Sequence, residues 1–149
     1  MKIVSIAVSR KKGTPKVRVE EASLLKGHGL EGDAHAGPWH RQVSFLAAES
    51  IEGAQKKGLD VTFGDFAENI ATSGIDWQEI PVGTRMNLGD SALVEITQKG
   101  KECHSKCAIY YLAGDCIMPR EGIFARVLKG GIIRCGEPVC IIGARRGED

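Results

Sequence analysis

The amino-acid sequence predicts a mainly β chain, a closed or nearly closed β-barrel with one or two short helices on its outside. Three observations carry that expectation. Strand-like apolar segments dominate, turn signals separate them at short and fairly even intervals, and nineteen glycines accompany only 5% aromatic residues. Glycine in a strand-rich chain allows the bulges and sharp bends by which a sheet curls on itself.

The elements follow in order. KIVSIAVS (Lys2–Ser9) sets Val4, Ile6 and Val8 against Ile3, Ser5 and Ala7, so both faces are apolar and the strand is expected to be largely buried. KKGTPK, punctuated by Gly13 and Pro15, reads as an exposed turn. KVRVEEASLLKG reads as a second strand bent near Glu21, and RQVSFLA (Arg41–Ala47) as a third. In AAESIEGAQKKGL, Ala47, Ile51 and Ala54 recur at helical spacing, Glu49 and Glu52 come early, Lys56 and Lys57 late, and Gly58 ends the run. Acid first and base last suits the helix dipole, and glycine suits the C-terminal cap. Further strands are expected at ENIAT, TRMNLG, ALVEITQ, GIFARVLKGG and PVCIIGA, with turns at LGDS and RCGEP. No repeat or low-complexity linker interrupts the chain, so residues 1–149 read as one domain with a loose tail from about 144.

Composition narrows the function classes. With 149 residues, 42% of them hydrophobic, and a formal net charge of +1, the chain has no global field to draw nucleic acid or an anionic membrane. The first apolar run is too short for a signal sequence, and no stretch reaches membrane-spanning length. The expectation is a cytoplasmic protein without nucleic-acid or membrane partners. Its five cysteines, an odd number, argue against a disulfide framework in such a setting.

Three of those cysteines lie with His104 in KGKECHSKCAIYYLAGDCIMPREG, Lys99 to Gly122. Cys103-x3-Cys107 has the spacing of a structural zinc pair, and Cys135-x4-Cys140 offers a second. Against zinc, PVCIIGA reads as a strand that makes Cys140 a small buried hydrophobe, and the amphipathic run between Cys107 and Cys116 packs better than it coordinates. A single working thiol instead needs partial exposure and positive surroundings, because the thiolate is the nucleophile. Cys103 has Lys99, Lys101, His104 and Lys106 near it in sequence, with Glu102 acting the other way, and it follows a strand end. Cys107 opens an apolar run and reads as core-facing, Cys116 as a resolving thiol, and Cys135 as incidental.

Two other segments are rich in polar side chains. GLEGDAHAGPWHRQVSFL crowds Asp33, His35, His40 and Arg41 into a glycine-rich connection, and FGDFAENIATSGID brings Asp65, Glu68, Asn69 and Thr72 to the start of a strand. Both have the form of strand ends facing a shared cavity mouth. The plainer reading is that Asp33 and Asn69 cap turns and Trp39 covers the core. A thiol, one or two imidazoles and the guanidinium groups of Arg41, Arg120 and Arg126 could together hold an anionic, sulfur-containing ligand.

In order along the chain, GLEGDAHAGPWHRQVSFLAAESIE, FGDFAENIATSGID, the cysteine after VEITQKGK, and GIFARVLKGGIIRCGEPV resemble the MOSC domain, named for the C-terminal domain of molybdenum cofactor sulfurases. The resemblance runs from about Val4 to Ile142, to a short, stand-alone bacterial version of the domain. It implies a β-barrel whose mouth holds one essential cysteine, which maps to Cys103. In the family that cysteine is thought to carry sulfur as a persulfide, or to sit beside the molybdenum of a bound pterin cofactor (molybdopterin). The resemblance also implies that Asp33, His35, Arg41, Gln42, Glu68 and Asn69 line the same cavity. Arg126 and Lys129 would neutralise the cofactor's phosphate or dithiolene.

The implied function is a sulfur carrier or sulfurtransferase acting on a molybdenum or tungsten pterin cofactor. The chain has no room for the pyridoxal-phosphate desulfurase domain of full-length sulfurases, so a separate cysteine desulfurase would supply the sulfur. The acceptor would be a molybdoenzyme or a cofactor-biosynthesis protein. Two other readings of the resemblance stand beside this one. One is a molybdenum-cofactor-dependent reductase of N-hydroxylated compounds, with Cys103 as metal ligand. The other is a non-catalytic module that stores or delivers the cofactor.

Overall fold

The computed structural model describes residues 1–12, 15–100 and 117–144. Its chain is mainly β. In order it forms β1 (Lys2–Val8), β2 (Val17–Val19), β3 (Glu21–Leu25), β4 (Gly29–Leu30), β5 (Val43–Ala47), α1 (Ala48–Lys56), β6 (Ile70–Ser73) and a 3-10 turn (Trp77–Glu79). There follow β7 (Thr84–Leu88), β8 (Ala92–Lys99), a four-residue helix α2 (Met118–Glu121), β9 (Ile123–Lys129), β10 (Gly131–Arg134) and β11 (Val139–Ala144).

Eight strands make one curled sheet in the order β11-β7-β8-β9-β5-β6-β1-β2, and β10-β3-β4 make a second, smaller sheet. Neighbours in the large sheet run antiparallel except β5 and β6, where Phe45 lies opposite Ile70 in a parallel pair. A parallel pair needs a crossover, and α1 with the 57–69 connection supplies it. Ala48, Ile51 and Ala54 turn the buried face of α1 to the sheet, so the helical stripe begins one residue later than Ala47, which is the N-cap. Glu49 in the first turn accepts from Gly74 N–H, and Lys56 sits in the last turn, each matching the dipole.

The mainly β class holds, but the large sheet is a curled half-barrel, not the closed or nearly closed barrel expected. Its terminal strands β11 and β2 do not pair. The reason lies in β1, whose second edge is divided. Ile6–Val8 pair with β2, and of the residues left on that edge Met1–Ile3 meet the other end of the sheet. There the seam consists of a Lys2–Pro138 bridge and the hydrogen bonds Ile3 N to Glu137 O, Gly136 N to Ile3 O and Val139 N to Met1 O. Proline has no N–H to extend the ladder at that point.

The bend expected near Glu21 is a break. Residues before Glu20 pair with β1 in the large sheet, and Glu21–Arg134 opens the pairing of β3 with β10 in the small one. The expectation of an exposed turn at KKGTPK is overturned at its last residue, since Lys16 is buried. The reading of Cys140 as a buried hydrophobe is also corrected. β11 ends the sheet, and its alternation sends Val139 inward while Cys140 faces solvent.

The concave side of the sheet holds the main core, with Ile3, Ile6, Phe45, Ile70, Met86, Val94, Ile96 and Ala125 all fully buried. A second cluster, Leu46, Ile51, Phe66, Ala71, Ile117 and Phe124, fills the opposite face under α1. Strand alternation explains the division, for Phe45 and Ala125 point one way while Leu46 and Phe124 point the other. Truncating a fully buried residue such as Phe45 to alanine is expected to cost about 3–5 kcal/mol.

Candidate functional site

The connection from β4 to β5 folds over the α1 side of the sheet and is anchored there by one buried ion pair. Lys16 Nζ, just before β2, reaches Asp33 Oδ1 at 2.6 Å, and neither side chain has any exposed surface. Asp33 Oδ1 also accepts from Ser9 N–H at 3.0 Å, and Oδ2 from His35 N–H at 3.2 Å. Burial by itself would raise the carboxyl pKa, but the hydrogen bond and charge of Lys16, with the Ser9 amide, outweigh it and hold Asp33 below the ordinary carboxylate range. The same ammonium lies 3.1 Å from His35 Nδ1 and 3.3 Å from Ser9 Oγ.

Beside this anchor is a cavity of about 260 Å³ lined by Lys12, His35, Trp39, Arg41, Ser44, Ala67 and Phe124. Arg41 sets its character. The guanidinium lies 4.5 Å from the Trp39 ring centroid and 5.7 Å from that of Phe124, so two aromatic rings hold a planar cation. Trp39 is fixed in turn by its Nε1–H, which donates to His35 O at 2.7 Å, and Lys12 Nζ lies 5.5 Å from the same ring. Arg41 Nε is buried and has no hydrogen-bond partner. Among the described residues the lining holds an ammonium, a guanidinium and an imidazole and no carboxylate. Such a donor set accepts an anion.

The remaining residues expected at the site divide by what holds them. Asn69 is a buried staple between strands. Its Oδ1 accepts from Ser44 N–H at 2.9 Å and Ser44 Oγ–H at 3.1 Å, while Nδ2 donates to Ala7 O at 3.1 Å. Gln42 spends its Oε1 on Val127 N–H of β9, at 2.8 Å. Glu68 is 1% exposed, accepts from Gly64 N–H at 2.6 Å through Oε2, and leaves Oε1 without a partner. Burial pushes its carboxyl up to about 7 against the opposing amides of Gly64, Glu68 and Phe66, and Asp65 adds to the rise. The preceding residue, Ala67, takes a left-handed φ of 65°, which costs a non-glycine residue on the order of 1 kcal/mol.

Arg126 and Lys129 stand elsewhere on β9. Arg126 shares Glu95 with Arg85, at 3.2 and 3.3 Å, and Lys129 is exposed five residues beyond Phe124, about 17 Å along the strand. Cys103, with Cys107 and Cys116, lies outside the described residues. The described residue before that segment, Gly100, donates its N–H to Gly122 O at 2.6 Å, and Ile117 after it packs in the same cluster as Phe124.

Lys12, Lys16, Ser44 and Phe124 were not foreseen. The basic run RKKGTPK was the available signal for the two lysines, but a lysine in a turn normally points to water. Ser44 and Phe124 sit in apolar runs and face this side of the sheet only through β5–β9 register, in which they lie opposite one another.

The sequence profile of the MOSC domain matches residues 31–140. No curated protein matches the chain. Among solved structures, the YUAD protein from Bacillus subtilis is similar over 97% of this chain and 96% of its own, with 20% identity and a TM-score of 0.76. YiiM from Geobacillus stearothermophilus matches over 95% of this chain and 74% of its own, with 23% identity and a TM-score of 0.72. YiiM from Escherichia coli matches over 97% and 71%, with 20% identity and a TM-score of 0.67. At these identities the likeness is one of fold.

Proposed function

Because the chain belongs to the MOSC domain family, whose members are generally tied to the molybdenum cofactor, we propose that it is a sulfur carrier that relays a cysteine persulfide to a molybdenum or tungsten pterin cofactor. The observation that carries this reading is the cavity beside the Lys16–Asp33 pair. It has a ring-clamped Arg41 with a buried, unpartnered Nε, it has no acid in its lining among the described residues, and it is built largely from the matched region.

The cofactor is the substrate here, and the chain's own groups divide the work. Arg41 and Lys12 bind its anionic end, and His35 donates a further hydrogen bond. Trp39 and Phe124 keep the guanidinium planar to the ligand and keep water from its faces. Cys103 is the sulfur-bearing thiol. In the loading step its thiolate attacks the outer sulfur of a persulfide on a cysteine desulfurase. The new S–S bond forms on Cys103 as the donor's own S–S bond breaks, and the donor cysteine leaves as thiolate. The acceptor is a molybdoenzyme or a protein of cofactor assembly.

The test is intact-mass spectrometry after incubation with a cysteine desulfurase and cysteine, followed by peptide mapping. A dithiothreitol-labile gain of one sulfur on Cys103, lost in Cys103→Ser, is the expected result. Sulfur scattered over Cys107 and Cys116, or undiminished loading of Cys103→Ser, overturns the carrier reading.

A further inference from the structure

We infer that Lys16 is a positioning residue that fixes His35 as a neutral imidazole protonated on Nε2, so that the ring serves the cavity as a hydrogen-bond donor and not as a base. The inference rests on the polarity of one contact. A lysine ammonium has donors and no acceptor, so at 3.1 Å from His35 Nδ1 it can only donate to that nitrogen. A ring nitrogen that accepts carries no proton. The proton of the neutral ring is then on Nε2.

Two further observations bind Lys16 to this role. Its Nζ is 2.6 Å from Asp33 Oδ1 in a fully buried pair, which keeps the ammonium charged and fixed in place. Asp33 also accepts from His35 N–H at 3.2 Å, so one carboxylate orients both the lysine and the backbone that carries the imidazole. His35 O in turn receives Trp39 Nε1–H, and Trp39 stacks on Arg41. Lys16 therefore sets the orientation of His35, while His35 and Asp33 connect it to the aromatic clamp.

The consequence separates two roles that a histidine beside a sulfur chemistry could play. A base for a thiol needs a free ring nitrogen facing the ligand. In this tautomer Nε2 carries the proton and is no base, and a second proton on Nδ1 would point at an ammonium. His35 thus binds acceptor atoms, an anionic oxygen or sulfur, beside Arg41 and Lys12. This part rests on the reading of the cavity as a ligand site, whereas the tautomer does not.

The experiment is ¹⁵N–¹H correlation spectroscopy of the histidine rings at pH 7 in the full chain, with His35 assigned by the loss of its signals in His35→Gln. The expected spectrum has a neutral ring with the proton on Nε2 and an unprotonated Nδ1. In Lys16→Met that preference is lost, and the Nδ1-protonated or doubly protonated ring appears. A wild-type ring protonated on Nδ1 overturns the inference and needs no variant to be folded. Retention of the Nε2–H tautomer in folded Lys16→Met also overturns it. Titration with sodium sulfate then tests the cavity separately. Movement of the His35 Nε2–H signal supports the donor role, and an unmoved signal counts against the cavity reading while leaving the tautomer intact.

Discussion

Lys16 and Asp33 form an ion pair of 2.6 Å in which neither side chain is exposed, and it ties the start of β2 to the connection that carries His35, Trp39 and Arg41. Removing one partner strands the other as a buried charge, which costs about 3–5 kcal/mol. Lys16→Met and Asp33→Asn should each destabilise by that order. The double variant should cost less than their sum by at least about 1 kcal/mol, as groups in contact do. Urea unfolding of the three variants measures both, and strict additivity would mean that the pair does not act as one.

The acid limb of stability follows from the same pair. The folded Asp33 carboxyl is held below its unfolded value of 3.8. Its contribution is therefore complete above about pH 4 and is lost as the pH falls through the lower folded value. Unfolding midpoints of the wild type measured downward from pH 5 should fall more steeply than those of Asp33→Asn.

Glu68 works in the opposite direction. Its folded carboxyl is raised from 4.5 to about 7, so the fold favours the protonated form. That contribution is complete below pH 4.5, declines as the pH rises toward 7, and is absent above it, a change of roughly 3 kcal/mol. Glu68→Gln keeps an acceptor for Gly64 N–H and removes the buried charge. It should be more stable than the wild type at pH 8 and should flatten the profile between pH 5 and 7. Equal slopes for the two proteins in urea unfolding would refute the assignment.

Arg41 is expected to depend on shape as well as charge. Lysine in its place retains the charge but loses the planar fork and most of the contact with Trp39 and Phe124. Arg41→Lys should weaken anion binding at least tenfold, or about 1.4 kcal/mol. Sulfate titration followed by tryptophan fluorescence at constant ionic strength reads this. Unchanged affinity would show that the clamped guanidinium is not the binding group.

Gly64 is a position where only glycine fits. Its φ is +94°, and a Cβ there would stand 2.5 Å from the carbonyl oxygen of Lys16, whose own N–H donates to Gly64 O at 2.8 Å. Gly64→Ala must shift the backbone that carries Lys16, at a cost of about 2 kcal/mol or more. Thermal melts would reveal it, and an unchanged Tm would contradict this close approach.

Much of the fold was legible because local chemistry dictated it. The 3.6-residue spacing of Ile51 and Ala54, with acids first and lysines last, located α1 to within about two residues. Apolar residues on both faces of KIVSIAVS matched a strand with cores on both sides, Ile3 and Ile6 in one and Val4 against the other. The four-residue β10 and the two-residue β4 were missed, since strands that short carry too few alternations to register. The open seam was also hidden, because the division of β1 between β2 and residues 136–139 is a matter of pairing over distance.

The site shows the same boundary. Sequence by itself marked Asp33, His35, His40 and Arg41 as a polar cluster in a glycine-rich connection, and of these His40 turns instead to Gln98, outside the cavity lining. Tertiary structure alone decided their partners. Asp33 meets a lysine 17 positions away, Asn69 and Ser44 bond across 25 positions, and Phe124 reaches Arg41 through strand register. Residue type states what a side chain is able to donate, accept or bury. Which atom it faces depends on how distant segments pack, and in this protein that packing made a turn lysine into the buried centre of the site.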